Sequence, residues 1–408
     1  LHESNPMHKI IELITSAWEI ALPSIVVAFS GGFRSDMDPD IRKKLVTYLF
    51  NFCKSVRVWI VTDGMHTGVS RFIGRVFRMD LEPPAEDINI EFQGDVVFFG
   101  FSKWDDLKDR ELLHGISHSE YSSYYYEKLP TSDDDMPSML NPFQDVHLLF
   151  QTTEPTTIEL RNQLLKKLKS CNVVKGRTSI DVDRILLNDT ESTGSRSINN
   201  RQNRIIPNLT FVIGGDETTL QQVCLAVESE MSVVIIQNTG PIARSLTEIY
   251  KELEKRRKSC YYNHDFSDDE RSCLKSMLEK DEHGCLLQAS DSRNYVERIM
   301  SKRYFITILD LDVRDTEYVR IIQALYKPFN GAQCMLIALQ TNQLLFLKVV
   351  LNREVDPTFD NCRSFVTVEM LKDLHTDNIR KNTRIFKPIC SVENNVLPLV
   401  GDIVYHLL

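Results

Sequence analysis

Apolar residues are concentrated in short continuous runs along the chain. The runs are SIVVAF (24–29), VRVWIV (56–61), DVVFFGF (95–101), DVHLLF (145–150), LTFVIGG (209–215) and VVIIQ (233–237). A run that is apolar on both faces is typical of an interior strand of a parallel sheet, because helices cover such a sheet on both sides. The pattern therefore predicts strands of a mainly parallel sheet.

Segments with helical periodicity lie before, between and after these runs. The predicted helices are HKIIELITSAWEIA (8–21), IRKKLVTYLFNFCKS (41–55), HTGVSRFIGRVFR (66–78), TTIELRNQLLKKLKS (156–170), TTLQQVCLAVESE (218–230) and PIARSLTEIYKEL (241–253). In the first helix, Ile10, Ile11, Ile14 and Trp18 are expected on one apolar stripe. The alternation of strands, glycine-containing turns and helices predicts an α/β, Rossmann-like fold.

The pattern changes towards the end of the sequence. Beyond about residue 293 helical spacing dominates, as in EYVRIIQALY (317–326) and in a helix pair with a polar turn at Thr341-Asn342. These helices predict a repeat-like helical domain after the α/β domain. We expect an N-terminal helix (1–23), an α/β domain (24–260) with polar loops at 119–143 and 184–206, a hinge (261–292) and an incomplete helical domain (293–408).

Composition narrows the function classes. The 408 residues include 48 basic and 57 acidic side chains, which gives a net charge of −9 and disfavours nucleic acid as a partner. The nine cysteines contain no CxxC pair, so neither a disulfide framework nor a zinc site is expected. No apolar run approaches the ~20 residues of a membrane-spanning helix. The first residue is not Met, and we expect the sequence to be a piece of a longer protein.

Glycine-containing turns follow several of the predicted strands. They include Ser30-Gly31-Gly32, Asp63-Gly64 and Gly214-Gly215. Parallel strands place such turns at one edge of the sheet, where helix N-termini can bind phosphate. No turn matches GxGxxG or a P-loop, so the expected crevice lacks a specific nucleotide motif.

The order of the segments is similar to one family of membrane proteins. The segments are WEIALPSIVVAFSGG, VWIVTDGMHTGVSRFIGRVFR, GFSKWDDL, TIELRNQLLKKL, IPNLTFVIGGDETTL, VVIIQNTGPIARSL, LLFLKVVLNREVD and NNVLPLVGDIVYHL. In that order they resemble the cytosolic N-terminal region of TRPM-type cation channels, where a SLOG domain related to nucleotide-binding LOG proteins precedes helical TRPM homology repeats. The resemblance implies a subunit of a tetrameric, Ca²⁺-permeable channel at the plasma membrane. Its partners would be other channel subunits, with membrane helices beyond Leu408.

The resemblance also implies a ligand. Some family members bind ADP-ribose-type nucleotides in the SLOG cleft, and such a nucleotide is the one candidate cofactor. No catalytic residue and no metal ligand is implied. The positions that match the family's nucleotide-binding motifs are Ser30, Gly31, Gly32, Gly64, Thr67, Gly68, Arg161, Gly214, Gly215, Thr218 and Gly240.

The sequence departs from that pattern at the glycine turns. Asp63 stands where the family has glycine, and in GGDETT either Asp216 or Glu217 replaces a glycine. Pro241 follows Gly240 where nucleotide-binding members have arginine, and the loop at 151–157 is shortened. A carboxylate about 4 Å from a phosphate repels it by roughly 1 kcal/mol in water and about 4 kcal/mol at an effective dielectric near 20. We therefore expect an acidic, degenerate pocket that binds ADP-ribose poorly.

Three alternatives remain open at this point. The pocket is a working ADP-ribose sensor, or the chain is an interaction module without any ligand. The third alternative is a LOG-like nucleotide phosphoribohydrolase, for which Asp63 and Glu217 are the candidate carboxylate pair. Gln221 and Gln222 lie where such hydrolases have glutamates, which disfavours the enzyme.

Overall fold

The fold of the chain is given by a computed structural model. It describes residues 7–32, 39–53, 56–78, 96–108, 110, 136–151, 156–169, 173–174, 201–202, 205–256, 266–279, 290–311, 317–341 and 344–351.

The strands form one large sheet and two short ladders. In chain order they are β1 (Ile25–Ser30), β2 (Val58–Thr62), β3 (Met65–His66), β4 (Val96–Lys103), β5 (Met136–Leu140), β6 (Val146–Phe150), β7 (Val173–Val174), β8 (Arg201–Gln202), β9 (Asn208–Val212), β10 (Ser232–Ile236) and β11 (Ile306–Leu309). The large sheet has seven strands in the order β11-β10-β9-β1-β2-β4-β6. All its neighbouring strands pair in parallel, whereas β3 pairs with β5, and β7 with β8, antiparallel.

Helices connect the parallel strands. They are α1 (Met7–Glu12), which continues as a π-helical turn (Leu13–Ala17), α2 (Pro39–Cys53), α3 (Gly68–Arg78), α4 (Thr157–Lys169), α5 (Glu217–Glu228), α6 (Pro241–Arg256), α7 (Asp268–Glu279), α8 (Ser290–Ser301), α9 (Glu317–Tyr326), α10 (Gly331–Thr341) and α11 (Leu344–Leu351). None of these helices combines the length and the apolar character that a bilayer crossing requires.

Both faces of the sheet are buried. Alternate residues of each strand point to opposite sides, so Trp59 packs against Phe99 on one face, with ring centroids 4.6 Å apart. On the other face Phe29 stacks on Phe211 at 5.5 Å. The first core also contains side chains of α1 and α4 to α8, and the second contains those of α2, α3 and α9 to α11. Continuous apolar strands follow directly from this double cover.

The α/β, Rossmann-like fold class predicted from the sequence is confirmed. Every apolar run named above forms a strand of the large sheet, and every helix named above is present. Strand order reverses between β1 and β9, since β2, β4 and β6 extend to one side of β1 and β9, β10 and β11 to the other. In open α/β sheets this switch point is where ligands bind.

Several local predictions are corrected. The helical segment expected after 293 contains β11, whose four apolar residues are too short to stand out from the helices around them. The 119–143 loop includes β5, the 184–206 loop includes β8, and the expected hinge includes α7. Trp18 is 44% exposed, because the helix ends at Ala17 before the stripe reaches it. Residues 352–408 lie outside the described part of the chain.

Candidate functional site

The carboxyl ends of β1, β2 and β9 border a cavity at the switch point. Its volume is about 110 Å³. The cavity is lined by Phe29, Ser30, Gly31, Asp63, Val69, Arg161, Asp216, Thr218, Thr219 and Gln222. The turns after three neighbouring parallel strands thus meet at one edge of the sheet, as the sequence predicts.

Arg161 provides the positive charge of the cavity. Helix α4 carries it, and its side chain is buried, with 5% exposure. The guanidinium Nη2 donates a hydrogen bond of 2.7 Å to Ser30 Oγ at the end of β1. Burial lowers the pKa of Arg161 to about 10, and the nearby Asp63 carboxylate opposes that change. The group therefore stays a cation at neutral pH.

Asp63 is the first carboxylate of the cavity. Its Oδ1 accepts a hydrogen bond of 3.1 Å from the backbone N–H of Met65. Burial raises the pKa of Asp63, and the charge of Asp216 adds to the rise, whereas the Met65 hydrogen bond, Arg161 and a side-chain hydrogen bond with Ser70 oppose it. The direction of the shift shows that the folded chain disfavours the ionised form of this carboxyl group.

Asp216 is the second carboxylate, and it caps helix α5. Its Oδ1 accepts from the backbone N–H of Thr219 at 3.1 Å, while Thr219 Oγ1 accepts from the backbone N–H of Asp216. This capping box uses donors that a helix N-terminus otherwise offers to an anion. Asp216 is exposed to solvent, so its carboxylate presents a negative charge where a phosphate would approach the helix.

The predicted site residues separate into two groups. Ser30, Gly31, Arg161 and Thr218 line the cavity. The remaining predicted residues lie in the surrounding turns or, for Gly68, at the start of α3, and do not line it: Gly32, Gly64, Thr67, Gly68, Gly214, Gly215 and Gly240. Gly214 illustrates their packing role: with φ of 67°, it lies so close to the Gly32 carbonyl that an added Cβ would be 2.3 Å from that oxygen.

The candidate carboxylate pair of Asp63 and Glu217 is corrected. Glu217 does not line the cavity; its Oε1 accepts a hydrogen bond of 3.1 Å from Ser292 Oγ of α8. The carboxylates that share the cavity are therefore Asp63 and Asp216. Pro241 begins α6 and is not among the lining residues either.

Four lining residues are absent from the nucleotide-binding positions that the resemblance implies: Phe29, Val69, Thr219 and Gln222. Gln222 lies one helical turn after Thr218, so helical spacing from a recognised position was the available signal. In the described part of the chain, no cluster of His, Cys, Asp and Glu side chains has the arrangement that a metal ion needs.

Comparison with known proteins identifies the family of this chain. A family model described as SLOG in TRPM matches residues 2–285, which cover β1 to β10 and the whole cavity. The chain belongs to this family. The switch-point cavity lies within this SLOG domain and is named the SLOG cleft below.

Full-length relatives of this SLOG domain are ion channels. The chain is similar to rat transient receptor potential cation channel subfamily M member 2, with 22% identity over 252 residues, 59% of this chain and 14% of that channel. It is 22% identical to rat member 4 over 245 residues, 60% of this chain and 18% of the channel. For rat member 7 the identity is 20% over 430 aligned positions, 95% of this chain and 21% of the channel. The matched regions thus span about a fifth or less of these channels.

Tight backbone contact at the SLOG cleft leads to a prediction about glycine. A Cβ added at Gly100 of β4 would be 2.5 Å from the Gly64 Cα, whereas one added at Gly32 would meet nothing within 4 Å. We expect Gly100→Ala to destabilise the chain by about 1–3 kcal/mol, since backbone atoms must move. We expect Gly32→Ala to change the free energy of unfolding by less than about 0.5 kcal/mol. Urea unfolding of the two variants checks this; equal effects would contradict the contact.

Asp63→Asn is expected to stabilise the SLOG domain at neutral pH. Because the folded-state pKa of Asp63 is raised above the ordinary value of 3.8, its ionisation disfavours folding as pH rises through this interval. Asparagine keeps the Oδ1 acceptor for Met65 without the charge. The melting temperature should rise by about 2–4 °C for each kcal/mol of penalty removed. Melting curves of Asp63→Asn and the unmodified chain at pH 7.5 and pH 4 test this prediction. The rise in melting temperature should be smaller at pH 4, and a lower melting temperature of the variant at pH 7.5 would refute the prediction.

Proposed function

We propose that this chain is the cytosolic N-terminal regulatory and assembly region of a TRPM-type cation channel subunit, with a SLOG cleft that binds ADP-ribose-type nucleotides poorly. The observation that carries the second part is the charge of the cleft. One cation, Arg161, shares it with two carboxylates, Asp63 and Asp216. With all three ionised, the lining side chains carry a net charge of −1, opposite to what a phosphate requires.

Electrostatic magnitudes favour weak phosphate binding. Each carboxylate about 4 Å from a phosphate costs between roughly 1 and 4 kcal/mol, depending on the local dielectric. A micromolar affinity corresponds to only about 8 kcal/mol. Arg161 also spends one of its donors on Ser30, so it offers fewer hydrogen bonds to an incoming ligand. Two carboxylates therefore remove much of the affinity that a single guanidinium contributes.

We do not propose catalysis. The relatives found by comparison are ion channels. On the cavity side of α5 lie Thr218 and Gln222, and neither side chain can provide the ionised carboxylate that glycosidic hydrolysis needs. Incubation with AMP is expected to release no adenine. Release at a rate that Asp63→Asn abolishes would instead support a hydrolase.

We also propose a division of labour along the chain. The SLOG body (24–260) would carry the cleft, preceded by the N-terminal helix (1–23). The connecting segment (261–292) and the helical region (293–408) would contact other subunits of a homo- or heterotetramer. The fold changes one boundary. Strand β11 lies after residue 293 in the sequence but completes the sheet of the SLOG body.

The proposed role in assembly is tested on the full-length subunit. Light scattering of the detergent-solubilised subunit should give the mass of a tetramer, and deletion of residues 7–351 should abolish the tetramer or the current. The charge variant Asp63→Asn, which leaves the helical region intact, is the matched control and should assemble normally. A deletion variant that forms tetramers with unchanged currents would contradict the proposal.

A further inference from the structure

We propose that Ser70 of α3 and Asn141, which directly follows β5, are positioning residues: they hold the Asp63 carboxylate at the wall of the SLOG cleft and so set how strongly the cleft repels a phosphate. Neither residue is among those that line the cavity, so both act on the cleft through Asp63. The inference rests on the proposed function, in which the charge of Asp63 weakens the binding of phosphate.

A cluster of buried polar side chains lies next to Asp63. Thr62, Ser70 and Asn141 are 0% exposed, and Ser102 of β4 is 2% exposed. Buried polar groups cost stability unless hydrogen bonds satisfy them, and apolar groups of the same shape would fill the space without that cost. The cluster therefore points to a role beyond packing.

Hydrogen bonds from this cluster fix the backbone of the Asp63-Gly64 turn. The Gly64 N–H donates to Thr62 Oγ1 at 3.1 Å, and the Gly64 carbonyl accepts from the backbone N–H of Asn141 at 2.8 Å. Ser102 Oγ donates to the Asp63 carbonyl at 2.7 Å. The Asp63 side chain thus starts from a backbone whose polar groups have definite partners.

Ser70 links the cluster to the Asp63 carboxylate. Asn141 Nδ2 donates to the Ser70 carbonyl at 2.8 Å and to Ser70 Oγ at 3.2 Å. Ser70 Oγ also lies 3.0 Å from Thr62 Oγ1, which already accepts from the backbone. Both hydroxyls are satisfied when Thr62 donates to Ser70 and Ser70 gives its own hydrogen to Asp63. Hydrogen bonds arranged in such a chain polarise one another towards the final acceptor.

The contact with Ser70 favours the charged form of Asp63. Burial is the largest influence on this carboxyl group and raises its pKa, whereas the Ser70 side chain lowers the pKa by hydrogen bonding. Arg161 of α4 and Asp216, which caps α5, are the charged groups that also act on it, in opposite directions. The cluster therefore offsets part of the cost of keeping a carboxylate at this wall.

His147 of β6 is the titratable group on the other side of the cluster. Its Nε2 lies 3.1 Å from the Asn141 carbonyl. Burial lowers the pKa of His147 to about 4, so the ring is neutral at neutral pH. The polar groups that reach Asp63 through Asn141 and Ser70 thus carry no charge of their own there.

A pH titration by NMR measures the effect on the carboxylate directly. With carboxyl-labelled aspartate in the whole 408-residue chain, the Asp63 signal is assigned by its absence from Asp63→Asn. The midpoint of this signal should move to higher pH in Ser70→Ala, because a donor to the charged form is lost. Asn141→Ala should move it in the same direction by less. A midpoint in Ser70→Ala equal to or below that of the unmodified chain would overturn the inference.

Ser102→Ala is the matched control. It removes the same kind of hydroxyl from the same turn, but its partner is the backbone carbonyl of Asp63 and not the carboxylate. The midpoint should stay in place, and equal shifts in both serine variants would assign the effect to a loosened turn and reject the role of Ser70. If Ser70→Ala does not fold, Thr62→Val, which removes the neighbouring hydroxyl, tests the same chain and should also raise the midpoint.

A double variant connects the carboxylate to the cleft. Ser70→Ala should raise the affinity for ADP-ribose about 3-fold at pH 6, where a larger share of Asp63 is then protonated and no longer repels phosphate. Combined with Asp63→Asn, the same change should alter the affinity by less than about 1.5-fold, since the group through which Ser70 acts is absent. The same factor in both backgrounds would contradict action through Asp63. Ligand-observed NMR titrations give the affinities.

Failure of this inference can be told from failure of the proposed function, because the pH titration needs no ligand. An unchanged midpoint in Ser70→Ala rejects the inference and leaves weak binding of ADP-ribose standing. Binding of ADP-ribose at micromolar concentration rejects the proposed function, and the titration still decides whether Ser70 and Asn141 hold the carboxylate.

Discussion

Arg303→Met is expected to lower the free energy of unfolding by about 3–5 kcal/mol, the usual cost of removing one partner of a buried ion pair. Arg303 lies just before β11, and its side chain is 7% exposed. Its Nη2 is 2.5 Å from Glu270 Oε1 of α7, and its Nε is 3.2 Å from Glu254 Oε1 of α6. The side chain of Glu270 is equally buried, at 7% exposure. Without the guanidinium, a buried carboxylate is left without its cation.

The same network joins α7 to α6 and to the start of β11. Glu270 Oε2 accepts from the backbone N–H of Ser267 at 2.9 Å and so caps α7, while Oε1 binds Arg303. Loss of Arg303 therefore weakens contacts among α6, α7 and the start of β11. Urea unfolding followed by tryptophan fluorescence measures the effect.

Arg298 offers a matched control. It also binds a glutamate with two nitrogens, at 2.8 Å from Glu228 Oε1 and Oε2, but the two side chains are 42% and 32% exposed. Arg298→Met should cost less than about 1 kcal/mol because solvent screens this pair. Glu270→Gln combined with Arg303→Met should recover part of the stability lost in the single variant. Similar costs for Arg303→Met and Arg298→Met would refute the difference in burial.

Asp63→Asn combined with Asp216→Asn is expected to raise the affinity for ADP-ribose about 30-fold or more. Removing two carboxylates relieves at least roughly 1 kcal/mol of repulsion each, even at the dielectric of water. Each 1.4 kcal/mol changes an equilibrium constant about tenfold. Asparagine caps helices as well as aspartate does, so α5 should keep its N-terminus. Calorimetry on the variant and the unmodified chain measures the ratio of the two affinities.

The control for this variant is its neighbour in sequence. Glu217→Gln removes one negative charge, half of what the double variant removes, from a residue that faces Ser292 instead of the cavity. It should change the affinity for ADP-ribose less than 3-fold. If Glu217→Gln and the double variant raised the affinity equally, the effect would come from overall charge and not from the cleft.

The sheet was predictable because its signals are local. Runs such as SIVVAF and VRVWIV are buried on both faces, and a glycine turn follows several of the strands, so neither signal depends on distant partners. Parallel pairing then forces the turns to one edge. This is why Ser30 and Gly31 could be placed at that edge from the sequence, whereas Arg161, on α4, was named only through the resemblance to the TRPM family.

The sequence-based predictions that were wrong concern features that depend on long-range contacts or on a shift of one residue in the alignment. The residues of β11 form a strand because they pair in parallel with β10, a contact between segments far apart in the sequence. In GGDETT the sequence did not decide which acidic residue faces the cleft. The capping box of Asp216 decides it, since it holds Asp216 at the cavity and leaves Glu217 to contact α8. Such caps depend on backbone angles that a pattern of apolar residues does not contain.

Isothermal titration of ADP-ribose into the unmodified chain tests the acidic cleft most directly. At pH 7.4 and 0.15 M salt the proposed function predicts a Kd above about 100 µM, since two carboxylates oppose the single guanidinium of Arg161. A Kd of about 10 µM or lower, abolished by Arg161→Gln, would contradict it and show that the cleft holds phosphate despite Asp63 and Asp216.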